Sequence, residues 1–487
     1  MNPTSCQSQT ASACCGSSAA GDANASCRLP LAVLFPAASF WLIVSSVLGI
    51  LASIKFHAPD FLSDCASMNY GRLHASAGLA FLYGFAIQAG YGVGIWILAS
   101  LGRNAIARPL MIALGGKLWN LGVLLGVVSV LLGGSTGFDN LEMPHHAGWC
   151  LWLGMLVMGY WSVKTLHQRT EKSLQPSQWF LLAATFWLPW IFSTARLLLI
   201  WWPVRGVTQS VLVWWFTANL NLVWMGLVGL AAAFHFMPVL MNKPLHSRQM
   251  AFFTFWTVIL FASWSGIPSG APLPAWIPVI SGIATVLTIV PVLAVALNVY
   301  RTCGSGCSQT ENTPAGKFIA FGLMAFVVAW TMNVFAALPA ISAITSFTWF
   351  TVAQSQLNAY GFFAMTMFGG IYYIVPRVVG VAWPCERSVR AHYWLAAIGV
   401  LLIVAPLAIG GIRQGLALSH PQVAFLDTAK ATLPFLRVST MGELFIAVGH
   451  LLLAVNVARL LCGRFKAGLL PALAAATAEL KPAGVKS

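Results

Sequence analysis

Trp349-Phe350-Thr351-Val352-Ala353-Gln354-Ser355-Gln356-Leu357-Asn358-Ala359-Tyr360-Gly361 opens an apolar segment that ends in Gly370-Ile371-Tyr372-Tyr373-Ile374-Val375-Pro376-Arg377. Its apolar core, about 347–375, is long enough to cross a bilayer, which takes about 20 residues as a helix. Five polar side chains interrupt it early: Thr351, Gln354, Ser355, Gln356 and Asn358. At membrane depth such groups commonly act as hydrogen-bonding glue between helices. Gln354 and Gln356 are two residues apart, so they lie about 200° around the axis and face opposite ways. An amide side chain has no lone-pair nitrogen to offer a metal.

Working outward, the whole chain has the same character. Of 487 residues 59% are hydrophobic and 8% charged, against about 25% charged in an average soluble domain. Its 21 Trp and 30 Phe add the aromatic load of membrane interfaces. Twelve apolar segments are expected to span, at about 30–53, 73–101, 109–134, 147–166, 179–203, 210–240, 250–268, 275–299, 317–338, 347–375, 391–411 and 441–462. The fold class is therefore all-α integral membrane, one twelve-helix domain over 30–462. A Ser/Ala/Cys-rich tail at 1–29, predicted to be disordered, precedes it, and a cytoplasmic tail at 463–487 follows. The longest loop is expected at about 412–440, with Pro421 and Pro434, on the external side. No early stretch pairs a basic n-region with a cleavable apolar core, so no signal peptide is expected.

Orientation follows from Lys and Arg. With the N-terminus inside, 18 of the 26 basic residues fall on the cytoplasmic side and 6 on the outer side, leaving Lys117 and Arg196 within spans. That bias predicts a multi-pass protein of the cytoplasmic (inner) membrane with both termini cytoplasmic. The net charge of +15 then reflects topology and contact with membrane lipids, and implies no nucleic acid.

Several stretches, in order along almost the whole chain, resemble subunit I of the heme–copper oxidases, in particular the cbb3 type. Asn69-Tyr70-Gly71-Arg72-Leu73 resembles the Gly-Arg-Leu that precedes a low-spin heme histidine. Trp214-Trp215-Phe216-Thr217-Ala218-Asn219 resembles Trp-Trp-Tyr-Gly-His-Asn, which bears a copper ligand. Trp264-Ser265-Gly266 with Leu273-Pro274-Ala275-Trp276 resembles the frame around the paired copper histidines. The quoted 349–361 and 370–377 stretches resemble the helix that carries His-x-His and its Leu-Tyr-His-Leu-Ile-Pro-Arg exit. Twelve spans are also that family's number.

The resemblance implies six metal-ligand positions, and none holds an imidazole here. They fall at Ala77, at Ala218, within Ile267-Pro268-Ser269-Gly270 (Pro268 and Ser269), and at Gln354 and Gln356. The acidic residue such proteins carry on the ninth span is replaced by apolar sequence around Phe335-Ala336. Oxygen reduction at a heme–copper centre needs nitrogen donors on copper and an axial ligand on heme. No cofactor is expected, with heme b still open if His74, one helical turn before Ala77, or another histidine ligates it. Of the ten histidines, only His74, His235 and His450 are expected within spans, at unequal depths. The plainer reading of each is a histidine hydrogen-bonded inside the bundle. His145-His146 reads as an interfacial pair before a metal site.

A charge at membrane depth is costly and is usually paired or functional. Lys117 is expected near mid-depth, where it either faces a polar cavity or marks a misplaced span. Arg196 is expected to snorkel from the outer half of the fifth span. Glu443 is the acid nearest to a span. Cys303-Gly304-Ser305-Gly306-Cys307 and Cys6, Cys14, Cys15 and Cys27 fall on the cytoplasmic side, where thiols favour metal or redox chemistry over disulfides. A single Cys-x3-Cys is weak evidence for either.

Three functions are compatible with these residues. The chain is expected to be a non-catalytic pseudo-oxidase scaffold beside membrane-anchored c-type cytochrome subunits of a respiratory complex. Alternatively it is a divergent terminal oxidase taking electrons from cytochrome c with heme at other ligands, or a transporter or ion path that reuses the emptied heme cavities. The bulky Trp224, Tyr360, Phe362 and Phe363 are expected to occupy at least part of the heme volume, with Asn219 or Asn358 serving as polar partners for the two glutamines.

Overall fold

The computed structural model describes residues 7–304 and 313–478, and the described residues are helical, without a strand. The long helices are α1 Gln7–Ile54, α2 Tyr70–Gly102, α3 Pro109–Leu131, α4 His145–His167, α5 Pro176–Trp201, α6 Val207–Met241, α7 Arg248–Ala262, α8 Trp276–Cys303, α9 Pro314–Ala336, α10 Trp349–Val379, α11 Glu386–Leu418 and α12 Phe425–Ala478. Ten of them contain stretches long and apolar enough to cross a membrane. The two others, α4 and the shorter α7, occupy the fourth and seventh of the twelve segments expected. In α4 the Trp and Tyr side chains dilute the apolar character.

Burial sorts the helices into centre and rim. Over their most apolar windows α2 is 94% buried and α6 and α10 are each 83% buried, whereas the rim helices α5, α8 and α12 reach 39%. The three central helices are thus among the four whose sequences resemble ligand-bearing helices. The rim helices present apolar stripes outward. On α3 the stripe is Leu114, Leu121, Leu124 and Val128, all exposed, at helical spacing.

Two boundaries differ from expectation. The stretch at 7–29, which composition predicts to be disordered, continues α1, and Asp22–Ile54 is the spanning part. Tertiary contacts override composition there. Trp96 Nε1 donates to Asn24 Oδ1 at 2.9 Å, the Ile106 amide donates to Ser26 Oγ at 3.0 Å, and Arg28 Nε donates to the Val378 carbonyl at 3.1 Å. Cys27 and Leu34 beside them are wholly buried. Likewise the 412–440 loop shrinks to residues 419–424, because α11 runs on to Leu418 and α12 starts at Phe425. Glycines let the two extensions pack. Gly411 lies against the Phe350 backbone and Gly410 against the Phe435 ring, 2.9 Å from where a Cβ would stand. Pro421 stays in the loop, while Pro434 lies inside α12.

Cys6 and Cys307 lie outside the described residues, as do the side chains of Cys14 and Cys15. Cys27 and Cys303 are buried, and among the described residues no three His, Cys, Asp or Glu side chains gather as a metal site.

Candidate functional site

Four helices with a ligand-bearing resemblance share a local feature. Each contains a wide π-helical turn close to the position where the ligand is expected: Ala80–Ala86 after Ala77, Asn219–Trp224 after Ala218, Val258–Ala262 before the 267–270 loop, and Leu357–Ala364 after Gln356. A fifth π turn, Leu197–Trp201, ends α5. Such turns cost hydrogen-bond quality and occur most often at functional sites.

Ala218 is buried and lies directly against Gly266, so the copper-ligand position of α6 and the loop after α7 do come together. Asn219 fastens them: its amide donates to the Trp215 carbonyl at 2.9 Å and the Ser263 carbonyl at 3.2 Å, and its oxygen accepts from Trp187 Nε1 at 3.2 Å. Pro268 and Ser269 do not turn into this space. Ser269 is exposed and hydrogen-bonded to Ser342 at 2.8 Å, on a short helix, Pro339–Thr345.

Ala77 is buried on α2, and its carbonyl accepts from Ser45 Oγ of α1. His74, one turn away, is exposed and stacks on Tyr70 with ring centroids 5.4 Å apart. Gln354 is half-buried with its Nε2 unpartnered, and Gln356 is exposed. The partners expected for them are engaged elsewhere. Asn358 accepts from Trp330 Nε1 at 3.1 Å and donates to the Asn221 carbonyl at 2.8 Å, and Asn219 is held as described above.

The intramembrane cations also differ from expectation. Lys117 is exposed on the outward stripe of α3 and faces no polar cavity. Arg196 does not snorkel. It is 2% exposed, and its guanidinium reaches the carbonyls of Met143 and Pro144 at 3.4 and 3.5 Å and packs on Phe192. Gly148 makes the room, since a Cβ there would collide with the guanidinium. Next to it, burial pushes the Glu142 carboxyl up to about 7, with the charge of Asp139 adding to the shift and the amides of Glu142 and Asn140 opposing it.

The centre of the bundle is filled by aromatic rings set against glycines. Phe362 lies on Gly229, and Trp224 and Phe363 lie 3.1 and 3.4 Å from the Cβ position of Gly90. Phe236 stands 3.2 Å from that of Gly370, and Trp41 covers Gly84. Trp224, Phe362 and Phe363 are buried throughout. Between α2, α4, α5 and α6 remains a cavity of about 20 Å³, lined by Tyr91, Ser162, Thr185 and Trp224 among others. That holds a water, not a macrocycle.

Packing is looser toward the opposite end of α2 and α10. Phe81 stacks on Tyr360 at 6.0 Å. One turn further out, Gly78 has no atom within 4 Å of its Cβ position, and Gln356 is exposed. The aromatic pair lies about one turn inside these exposed positions.

Family comparison agrees with this architecture. The family model for cytochrome C and quinol oxidase polypeptide I matches residues 30–445. The chain belongs to that family. It is 22% identical over 458 residues to the cytochrome c oxidase subunit 1 homolog of Agrobacterium tumefaciens, covering 87% of this chain and 82% of the relative. It is 23% identical over 455 residues to cytochrome c oxidase subunit 1 of Rhodobacter capsulatus, with 86% and 83% covered. It is 23% identical over 441 residues to the Cbb3-type cytochrome c oxidase subunit CcoN1 of Stutzerimonas stutzeri, with 86% and 92% covered. This family member is a multi-pass membrane protein.

The residues present do not fit the family's heme or copper. Ala77 and Ala218 have no donor atom and Pro268 has no side-chain donor. Ser269 is turned to another hydroxyl, and Gln354 and Gln356 offer amides. The rings at Gly90 and Gly229 fill the bundle centre further along α2 and α6.

Sequence reasoning missed His392. Not counted among the histidines within spans, it sits two turns inside α11, fully buried and bonded to Tyr372. A seven-residue spacing of serines on α1 (Ser39, Ser46, Ser53) also went unread, though it marks one polar face of that helix.

Proposed function

We propose that this oxidase-family chain is a heme-free scaffold subunit of a membrane respiratory complex, which holds partner cytochrome subunits without reducing oxygen itself. The observation that carries the reading is the joint state of the six ligand positions, none of which has an imidazole, while the bundle centre deeper along α2 and α6 is filled by rings packed on glycines. A scaffold role needs a helical membrane frame with an apolar rim, and the ten apolar helices with outward apolar stripes support it. The bias of basic residues supports a cytoplasmic-membrane location with both termini inside.

The test is oxygen uptake by the purified full-length chain supplied with reduced cytochrome c, alongside isolation of the chain from its native membrane. The account expects no uptake above a protein-free control, and c-type cytochrome subunits in the isolated complex. Uptake by the chain alone would make it a divergent oxidase with metals at other ligands.

A further inference from the structure

Lys117 stands on the outward face of α3 with nothing to pair with. It lies eight residues, about 12 Å of helix rise, from the first residue of Pro109–Leu131, a helix long and apolar enough to cross the membrane. The side chain is exposed, and among the described residues it has no hydrogen-bond or ion-pair partner. Its stem leans toward the helix N-terminus and, being only four carbons long, covers part of that distance. An ammonium left in hydrocarbon is costly, and charges at such depth are usually paired or functional.

The packing of α3 holds the ammonium there. Glycines bring its backbone close to two neighbours. The Cβ position of Gly115 is 3.2 Å from the Gly154 carbonyl, and that of Gly122 is 3.0 Å from the Ala147 carbonyl, both on α4. The Cβ position of Gly116 is 3.0 Å from Leu34 of α1. A helix gripped on two sides at these distances does not roll to carry Lys117 inward. Asn120, one turn away, is already saturated. Its amide donates to Gln88 Oε1 and the Gly116 carbonyl, both at 2.8 Å, and its oxygen accepts from Trp41 Nε1 at 2.9 Å and Gln88 Nε2 at 3.2 Å. On the outward face Leu114, Lys117, Leu121, Leu124 and Val128 are all exposed and alternate three and four residues apart. That is the spacing of a seam between two helices, in which a single lysine fixes the register of the partner.

We propose that this face of α3 docks a transmembrane helix of another protein chain, which presents an Asp or Glu to Lys117 at the same depth. The inference rests on the reading of the chain as a scaffold, and adds to it the surface and the chemistry of one partner. Opposite charges attract strongly in hydrocarbon, and each relieves the cost of leaving the other unpaired. A second copy of this chain does not supply the acid. The described acids lie in loops or at the ends of spanning segments, except Glu443, which turns inward to Ser53. A two-fold pair of copies through this face would set lysine against lysine. Lipid phosphates lie at the membrane surface, outside the hydrocarbon that surrounds this position.

The test is site-specific photo-cross-linking of the full-length chain in its native membrane. The cross-linking amino acid p-benzoylphenylalanine replaces Leu121, one turn from Lys117, and, as a control, the exposed Leu293 on the rim helix α8. Irradiation should join position 121, and not position 293, to a different membrane chain, at a peptide within about two turns of an Asp or Glu in an apolar segment. Lys117→Met should lower the yield of that product about tenfold, the loss of about 1.4 kcal/mol of pairing, and Lys117→Arg should keep it. Lys117→Glu combined with Lys at the partner's acid should restore it. Lys117→Met removes a charge from an outward face, so its melting temperature should match or exceed wild type, which separates lost docking from lost folding. Cross-links to lipid alone, to a second copy, or to a partner at undiminished yield in Lys117→Met each overturn the proposal. Undiminished yield leaves the scaffold reading standing, whereas oxygen uptake by a chain whose cross-link depends on Lys117 overturns that reading and keeps the docking face.

Discussion

At the residue scale, Gln354 and Gln356 decide the chemistry and Glu142 offers a measurable consequence of burial. Glu142 has an ordinary value of 4.5 and is pushed up to about 7 in the fold. The unfolded chain therefore releases this proton first. Stability is present in full below about 4.5, falls as pH rises through the interval to about 7, and is level above it. The melting temperature of the detergent-solubilised protein should decline across that window. Glu142→Gln should flatten the decline and raise the melting temperature at pH 8 more than at pH 4.5. An unchanged slope in the variant would assign the pH dependence to other groups. Much of this scale was legible in the sequence, since the type of residue at each ligand position can be read directly. The partners could not be read: Asn219 and Asn358 bind tryptophans and carbonyls of neighbouring helices, and Arg196 finds its acceptors in a loop some 50 residues away.

At the scale of elements, the apolar segments located the helices to within a few residues but not the ends of α1, α11 and α12. Those ends are fixed by tertiary contacts, such as Asn24 on Trp96 and Gly411 on Phe350, which no periodicity encodes. The π turns were equally invisible, because they arise from packing around residues whose local propensity is ordinary helix. The interlock of aromatics and glycines gives the element-scale prediction. Gly229→Ala on α6 pushes a methyl into the fully buried Phe362 of α10 and should cost about 1–3 kcal/mol. Gly78→Ala on α2 meets nothing within 4 Å and should be neutral or stabilising by up to about 1 kcal/mol from helix propensity. Thermal melts of the two variants check the pair. Equal destabilisation would mean that the bundle centre is not close-packed around Phe362.

At the scale of the whole molecule, composition alone fixed the membrane class, and the order of motifs fixed the family; what remained hidden was which cavities had closed. The distribution of basic residues predicts that both termini are cytoplasmic and that the 419–424 loop is external. Alkaline phosphatase fused in that loop should be active and a cytoplasmic reporter fused there silent; the reverse pattern would invert the protein. The central claim, that an oxidase subunit I frame persists here without its metals, rests on donors that are missing and space that is filled. A pyridine hemochrome assay on the purified full-length chain tests it most directly. The account predicts no stoichiometric heme. One or more hemes per chain would contradict it, and loss of that heme in His74→Ala would place the ligand one turn from Ala77.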